Sequence, residues 1–550
     1  MFDKLLALIS KNLVIKSAAV ILLFVVWLFA HHTMLSYGSD AIPLHKTYIG
    51  DEQSPVNAGL HILKDKNILA IRDSGTYYGP VMAMLSIPAI IGDLTIHYIS
   101  GDISSIGSYR DYVVWDWGGI MYNVRIIVAL AGFMGLMAAF LLVREVVDKR
   151  SAFPAIVGVM LLATNLIYFE YSSFFRVWIF ILSLLLWQLY LLVLITKNKI
   201  SIKNGFMISA LLGVLSFGLN YVSIVLQIFW LPYLYEWLKN KRKELLRGFI
   251  YFSTVYIIGA ILIIAWYPNP FFRIVHMGVS NKNVTNHADV IATMLSSLSY
   301  YGEIFITGSL PLMIAFGLLL FFGWKKAPIE IKRFSFSLLM IGIVYSLLIL
   351  FVGWKEGRYV LPLIVMVIIG TAVFLGVENY RTVRGISSVF VQKLIYSLLI
   401  LQVVFAMVVI LKMASFYALA PSERNIIQSL DPSDTIVVSR THFFGMDGLV
   451  GVAHTKEAYE SYFKEMNLEV LDYYQYLLNT NPLATVPRFN IYYTDFDTHL
   501  LSKKLLTSAN HYVDCQNPNW DYTMPLDPFD INVFQLFYPD GMTAKCYLLK

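Results

Sequence analysis

The feature that most constrains this chain is a succession of long apolar runs separated by short, basic loops. The runs are Ser17–Thr33, Asn123–Val143, Ala152–Phe169, Phe175–Ile195, Gly205–Leu219, Tyr221–Leu238, Phe249–Trp266, Ile306–Phe322, Phe334–Phe351, Tyr359–Val377 and Leu394–Met413. Each is long enough, or nearly so, to cross about 30 Å of hydrocarbon as a helix. Only 14% of the 550 residues are charged, against about 25% in an ordinary soluble domain. The chain therefore reads as a polytopic α-helical membrane protein with about eleven transmembrane helices. Its net charge of +6 belongs to loops and is no sign of nucleic-acid binding.

The loops give the topology. Basic clusters stand at Arg144…Arg150, Lys197…Lys203, Lys239…Arg247, Lys325…Arg333 and Arg381…Lys393. The excess of Lys and Arg in cytoplasmic loops places all five inside. One further apolar run, Gly79–Tyr98, decides the register. If it spanned, the Arg144–Arg150 loop would fall outside and every later cluster would invert. If it lies in the interface, all five fall inside. We expect the second arrangement, with the N-terminus in, the tail out, and a long first outer loop over 35–122. Asp93 within the run, and Gly79-Pro80 before it, suit a juxtamembrane element. Ser17–Thr33 follows Lys4, Lys11 and Lys16 and ends in His31-His32 with no small-residue cleavage site, so it reads as a retained helix.

The chain divides into a membrane domain over 1–413 and a tail over 414–550. The tail is richer in Asp, Asn, Pro and Tyr, and stretches such as Thr435–Ser439 and Asn490–Thr494 alternate or are β-branched. With helical patterns near Lys456–Glu465 and Glu469–Leu478, it reads as an extracytoplasmic α/β soluble domain. Both cysteines, Cys515 and Cys546, lie there. No Cys/His cluster supports a zinc site. In an oxidising compartment the two could pair, a question that spacing alone leaves open.

This topology collects particular charges on the outer face: Asp51 and Glu52, Glu170 in the turn Phe169–Ser173, and Lys355 and Arg358 in Trp354–Arg358. Arg125 and Arg176 stand at outer helix ends. Pro55 suits the first turn of a helix running through Leu60 and Leu63. Moving a sugar from a phospholipid-type donor needs a base for the acceptor hydroxyl, cations or a metal for the departing phosphate, and an apolar groove for the lipid. Asp51 is the candidate catalytic base. Glu52 and Glu170 are candidates to orient substrate or, with Asp51, to hold a divalent cation, Mg or Mn, through oxygen ligands. Arg358, Lys355, Arg176 and Arg125 are candidates to meet phosphate. Each has a plainer reading. Asp51 and Glu52 favour a helix N-terminus; Arg125 and Arg176 can snorkel; Glu170, Lys355 and Glu356 can be solvated turn residues. No P-loop, GxGxxG, HExxH or GxSxG occurs, so nucleotide, zinc-protease and serine-hydrolase chemistry have no local support.

Three features together resemble the GT-C glycosyltransferases, in the branch of the protein O-mannosyltransferases and the lipid A aminoarabinose transferase. They are Gly50-Asp51-Glu52, Phe169-Glu170-Tyr171…Arg176, and Gly357-Arg358-Tyr359-Val360-Leu361-Pro362. Tyr78-Gly79-Pro80 before an apolar run, then Arg125 opening a helix, adds to the likeness, which extends to Pro362 and leaves out the tail. Two details depart from the pattern: Pro80 stands alone, and Glu170 lacks a nearby basic-proline context. The resemblance implies a polyprenyl-phosphate sugar donor, transfer on the extracytoplasmic face to a glycan, lipid or protein acceptor, inversion at the anomeric carbon, and Asp51 as base. The candidate substrate-binding residues are Glu52, Glu170, Arg125, Arg176, Lys355, Arg358 and Tyr359. The matching location is a bacterial cytoplasmic membrane, with the endoplasmic reticulum as the eukaryotic equivalent. Two other classes stay open: a transporter or flippase of lipid-linked saccharides, and an O-antigen-ligase-type enzyme with a diphosphate donor. A transporter would be expected to carry ionisable groups deep within its helices, and these helix interiors are nearly free of them.

Overall fold

The computed structural model describes residues 13–36, 50–73, 78–105, 108–109, 117–147, 152–268, 287–350, 357–377 and 388–419, and four short segments of the tail. Among the described residues the membrane part is helical, apart from short connections. Its helices are α1 (Leu13–Leu35), α2 (Gly50–Asp65), α3 (Pro80–Ser100), α4 (Trp117–Val146), α5 (Phe153–Ala163), α6 (Leu166–Tyr171), α7 (Val177–Thr196), α8 (Ile202–Leu219), α9 (Leu231–Lys239), α10 (Lys243–Trp266), α11 (His287–Gly323), α12 (Ile329–Leu350), α13 (Leu361–Leu375) and α14 (Ser388–Leu419). Tight 3-10 turns cover Ile68–Asp73, Tyr221–Trp230 and Gly357–Val360.

Among the described residues, eight helices are long and apolar enough to cross a membrane, or nine if the bent α11 is one span. The eight leave out four of the eleven expected runs and add α3; the four are the bent α11 and three runs that do not give one apolar helix of spanning length among the described residues. Helix α1 is continuous over 23 residues, Leu13–Leu35, but its apolar part that counts here is only Val20–Leu35. Ala152–Phe169 breaks at Thr164-Asn165, where the Asn165 side chain caps α6 by accepting from the Tyr168 N–H (3.1 Å). Tyr221–Leu238 runs as a 3-10 stretch and then α9. In α11, Ser309 leaves helical geometry just before Pro311, and the two halves meet at 85°.

Helices α7 and α8 form a tight hairpin whose turn puts Asn198 in the left-handed region (φ 55°). Helix α4 runs parallel to α7, with Ser183 donating to the Ala131 carbonyl near one end and Lys197 to the Glu145 carbonyl (2.6 Å) at the other. The starts of α4 and α7 and the end of α8 therefore share one face. The basic loops gather on the opposite face. There Lys199 pairs with buried Glu145, and Arg333 with Glu236 (2.5 Å).

By length and composition α3 also qualifies as a span, but its contacts lay it along the first face. Gly79 donates to the Leu219 carbonyl at the end of α8 (2.9 Å). Further along α3, buried Asp93 accepts from Tyr109 Oη (2.9 Å) and from Asn123 Nδ2 (3.2 Å) in the first turns of α4. Both contacts lie at the same end of the bundle. The helix then ends at Gly101, whose φ of 85° suits a residue without a side chain.

Helix α2 begins at Gly50, so Pro55 lies inside it and not in its first turn. Tertiary contacts of its first turn, described below, extend the helix past the point where proline would open it.

The tail contributes a four-stranded sheet of order β2-β1-β3-β4, built from β1 (Thr435–Ser439), β2 (Asn490–Thr494), β3 (His511–Asp514) and β4 (Tyr547–Leu548). Strand β1 pairs in parallel with β2 and β3, and β4 is antiparallel to β3. The helical patterns expected between the strands lie outside the described residues.

The seat of α3 is narrow. A Cβ on Gly79 would stand 2.1 Å from the Gly218 carbonyl oxygen, whereas one on Gly92, in the middle of α3, would meet nothing within 4 Å. Gly79→Ala should therefore destabilise the protein by about 1–3 kcal/mol through overpacking. Gly92→Ala should be neutral or stabilising by up to about 1 kcal/mol. Thermal unfolding of the two variants in detergent measures the contrast.

Candidate functional site

The centre of the first face is a buried ion pair. Both carboxylate oxygens of Glu52, in the first turn of α2, accept from the Arg125 guanidinium of α4: Nη2 to Oε2 at 2.8 Å and Nε to Oε1 at 3.1 Å. Neither side chain has any exposed surface. Oε1 also accepts from the Phe175 backbone N–H (2.5 Å). Arg125 Nη1 reaches back to the Leu35 and Met34 carbonyls at the end of α1 (3.2 and 3.4 Å), and the guanidinium lies 5.1 Å from the Phe174 ring centroid. One guanidinium thus joins the end of α1, the start of α2 and the turn before α7. This set of bonds also explains why α2 starts ahead of Pro55.

Helix α6 and the turn after it are drawn close by small residues on α4. A Cβ on Gly135 would stand 2.4 Å from Tyr168 Oη, and one on Gly132 would stand 2.5 Å from Ser172 Oγ. In the space these glycines leave, Tyr168 donates to the Gly132 carbonyl (2.6 Å) and Ser172 to the Tyr168 carbonyl (2.7 Å). The imidazole of His31, from α1, packs 3.9 Å from the Trp27 ring and stacks 3.9 Å from Phe169. Glu170 and Arg176, on either side of this turn, are both buried. Neither is a solvated turn residue or a snorkelling cation.

The third feature joins here. Arg358 is buried in the 357–360 turn with its guanidinium 5.6 Å from the Tyr359 ring centroid. That ring packs edge-on against Trp178 of α7, at 5.5 Å. Trp178 lies two residues after Arg176, so the openings of α7 and α13 are neighbours. Glu170, Arg176 and Arg358 thus share one end of the bundle with Glu52 and Arg125. Charges buried this way cost several kcal/mol each unless paired or hydrogen-bonded, and such costs concentrate where a protein has chemistry to do.

Asp51 is the second residue of α2, directly before Glu52; its side chain lies outside the described residues, as does Lys355. Glu52 is engaged in this structure, Oε1 by Arg125 Nε and the Phe175 N–H and Oε2 by Arg125 Nη2. Among the described residues no three His, Cys, Asp or Glu side chains are grouped to hold a metal ion. Sequence reading missed His31, the Phe175 N–H and Trp178 as parts of this face. His31 had a faint signal, being one of two adjacent histidines at the end of an apolar run.

No protein-family profile and no curated protein matches the chain. Its fold is similar to that of ArnT from Cupriavidus metallidurans. For the apo crystal structure the TM-score is 0.47 at 12% identity, covering 85% of this chain and 92% of that one. For the undecaprenyl-phosphate-bound structure the values are 0.49, 14%, 84% and 91%.

Breaking a buried pair strands its other member. Glu52→Gln and Arg125→Met should each cost about 3–5 kcal/mol. The double variant should cost clearly less than the two singles added. Thermal or denaturant unfolding of all four proteins closes the cycle, and additive losses would show that the two residues are not coupled.

Proposed function

We propose that this chain is an integral-membrane glycosyltransferase of the GT-C type, moving a sugar from a polyprenyl-phosphate donor to an acceptor hydroxyl on the extracytoplasmic face. The observation that carries the reading is the gathering of Glu170, Arg176 and Arg358, all buried, around the Glu52–Arg125 clamp at the end of the bundle where α2 starts with Gly50-Asp51. Eleven membrane passages, with the basic loops inside and the tail outside, complete the arrangement.

In this reading Asp51 accepts the proton of the acceptor hydroxyl as its oxygen attacks the anomeric carbon. The bond from that carbon to the phosphate oxygen breaks on the opposite side, so the configuration inverts. The departing polyprenyl phosphate takes up negative charge, which Arg176 and Arg358 stabilise; a guanidinium fork matches two phosphate oxygens at once. Glu170 orients the acceptor or balances the arginines. Glu52 positions: bound to Arg125 and the Phe175 N–H, it holds the first turn of α2 and with it Asp51.

Transfer of radiolabelled sugar from a short-chain polyprenyl-phosphate sugar tests the reading, with membrane extract as the acceptor pool. Asp51→Asn should lower turnover by about 10²–10⁴-fold while leaving thermal stability unchanged. Normal turnover by this variant would remove Asp51 as the base. Wild-type binding without transfer would point to a flippase, and preference for a diphosphate donor to the ligase type.

A further inference from the structure

The face opposite the clamp carries its cations in two ways. Some are paired: Lys197 and Lys199 meet Glu145, and Arg333 meets Glu236. The turn between α9 and α10 is different. Over 239–247 it holds Lys239, Lys241, Arg242, Lys243 and Arg247 against a single carboxylate, Glu244. All five cations are exposed. Among the described residues none of the five has an ion-pair partner. The one acid of α9, Glu236, is engaged elsewhere, Oε2 by Arg333 and Oε1 by Asn240 Nδ2 (3.3 Å). The backbone of the turn is closed. The Lys241 N–H donates to the Leu238 carbonyl (3.2 Å) and the Arg242 N–H to the Trp237 carbonyl (2.9 Å). Trp237 is fully buried and anchors the turn to the bundle. Positive charges crowded on a fixed support repel one another and attract an anion.

Behind the turn the surface becomes apolar. Leu231, Tyr235 and Leu238 stand four and three positions apart on α9, and all are exposed; so are Ile250 and Tyr251 on α10. That spacing puts the three α9 residues on one helix face. Cations at the tip with apolar side chains behind them match a molecule that has a phosphate at one end and acyl chains at the other. A soluble anion would use only the first half. We propose that the α9–α10 turn binds the headgroup of an anionic phospholipid, whose chains lie along the exposed apolar sides of α9 and α10. The lysines supply point charges to the phosphate and Arg242 a two-pronged donor. Tyr235 and Tyr251 suit the level where headgroup meets hydrocarbon. The site lies on the face away from the Glu52–Arg125 clamp and is independent of the proposed sugar transfer.

Native mass spectrometry of the full-length protein in a neutral detergent tests the site. The protein is titrated with dioleoylphosphatidylglycerol, dioleoylphosphatidylcholine or glycerol phosphate. Phosphatidylglycerol should bind about 10-fold or more tighter than phosphatidylcholine. Raising the salt to about 0.5 M should erase most of that preference in the wild type, a reading independent of any variant. Lys239→Gln/Lys241→Gln/Lys243→Gln should weaken phosphatidylglycerol binding by about 10–100-fold. Lys64→Gln/Lys66→Gln, on exposed lysines of the first face, should keep the wild-type affinity. Phosphatidylglycerol bound elsewhere, the proposed donor site included, is common to all three proteins and cancels in the comparison. Equal affinity for the two lipids would overturn the site, as would a triple variant that binds phosphatidylglycerol like the wild type. Glycerol phosphate bound as tightly as phosphatidylglycerol would replace the lipid with a soluble anion.

Discussion

A carboxylate and a guanidinium placed together in a low-dielectric interior cannot be separated cheaply. Everything on the first face of this molecule is arranged around that fact. Glu52 and Arg125 are 73 residues apart in the chain, and their pairing brings the end of α1, the start of α2, the first turns of α4 and the turn before α7 to one place. A buried ion pair is weak evidence for stability as such, because desolvation offsets much of its attraction. Its strength here is directional. Two parallel hydrogen bonds admit one relative placement of the helices, and the Phe175 N–H adds a third donor, on Oε1. A hydrophobic contact of equal size would tolerate sliding.

Around this clamp the packing follows from small residues. Gly132 and Gly135 let α6 approach α4, and Gly79 meets Gly218 backbone to backbone where α3 begins. The first face is thereby built from short, closely seated pieces, while the bulk of the bundle is long helices with lipid-facing aliphatic surfaces such as Ile257, Ile258, Ile261 and Leu262 of α10. The opposite face uses charge differently. Its lysines and arginines stand on loops and on the helix ends beside them, and the pair Lys199 with Glu145 closes loop to helix without burying both partners.

The membrane architecture was legible because hydrophobicity and loop charge are local and additive. The charged residues of the candidate site were legible for a related reason. In a chain this apolar, Glu52, Arg125, Glu170, Arg176 and Arg358 stand out as costs that something must offset. What could not be read was who offsets whom, since a pair spanning 73 positions leaves no local trace. The interrupted elements were harder still. Ala152–Phe169 is continuous in hydropathy, yet Asn165 caps a new helix within it. Pro55 pointed to a first turn by a sound local rule that tertiary contacts overrode.

The 3-10 stretch over Tyr221–Trp230 has a consequence for membrane thickness. A 3-10 helix rises about 2.0 Å per residue against about 1.5 Å for an α-helix. Its ten residues therefore reach about 20 Å where an α-helix would reach about 15 Å. With the α-helical turns of α9 behind it, a segment too short to match a thick bilayer comfortably gains about one α-helical turn of length. The segment is in effect stretched, and rewinding it into α-helix would shorten it by that amount. A thinner bilayer would lower the cost of rewinding and a thicker one would raise it. Lipid chain length would then act on Ser223, Leu226 and Phe229, which face inward at every third position, and through them on the helices they touch.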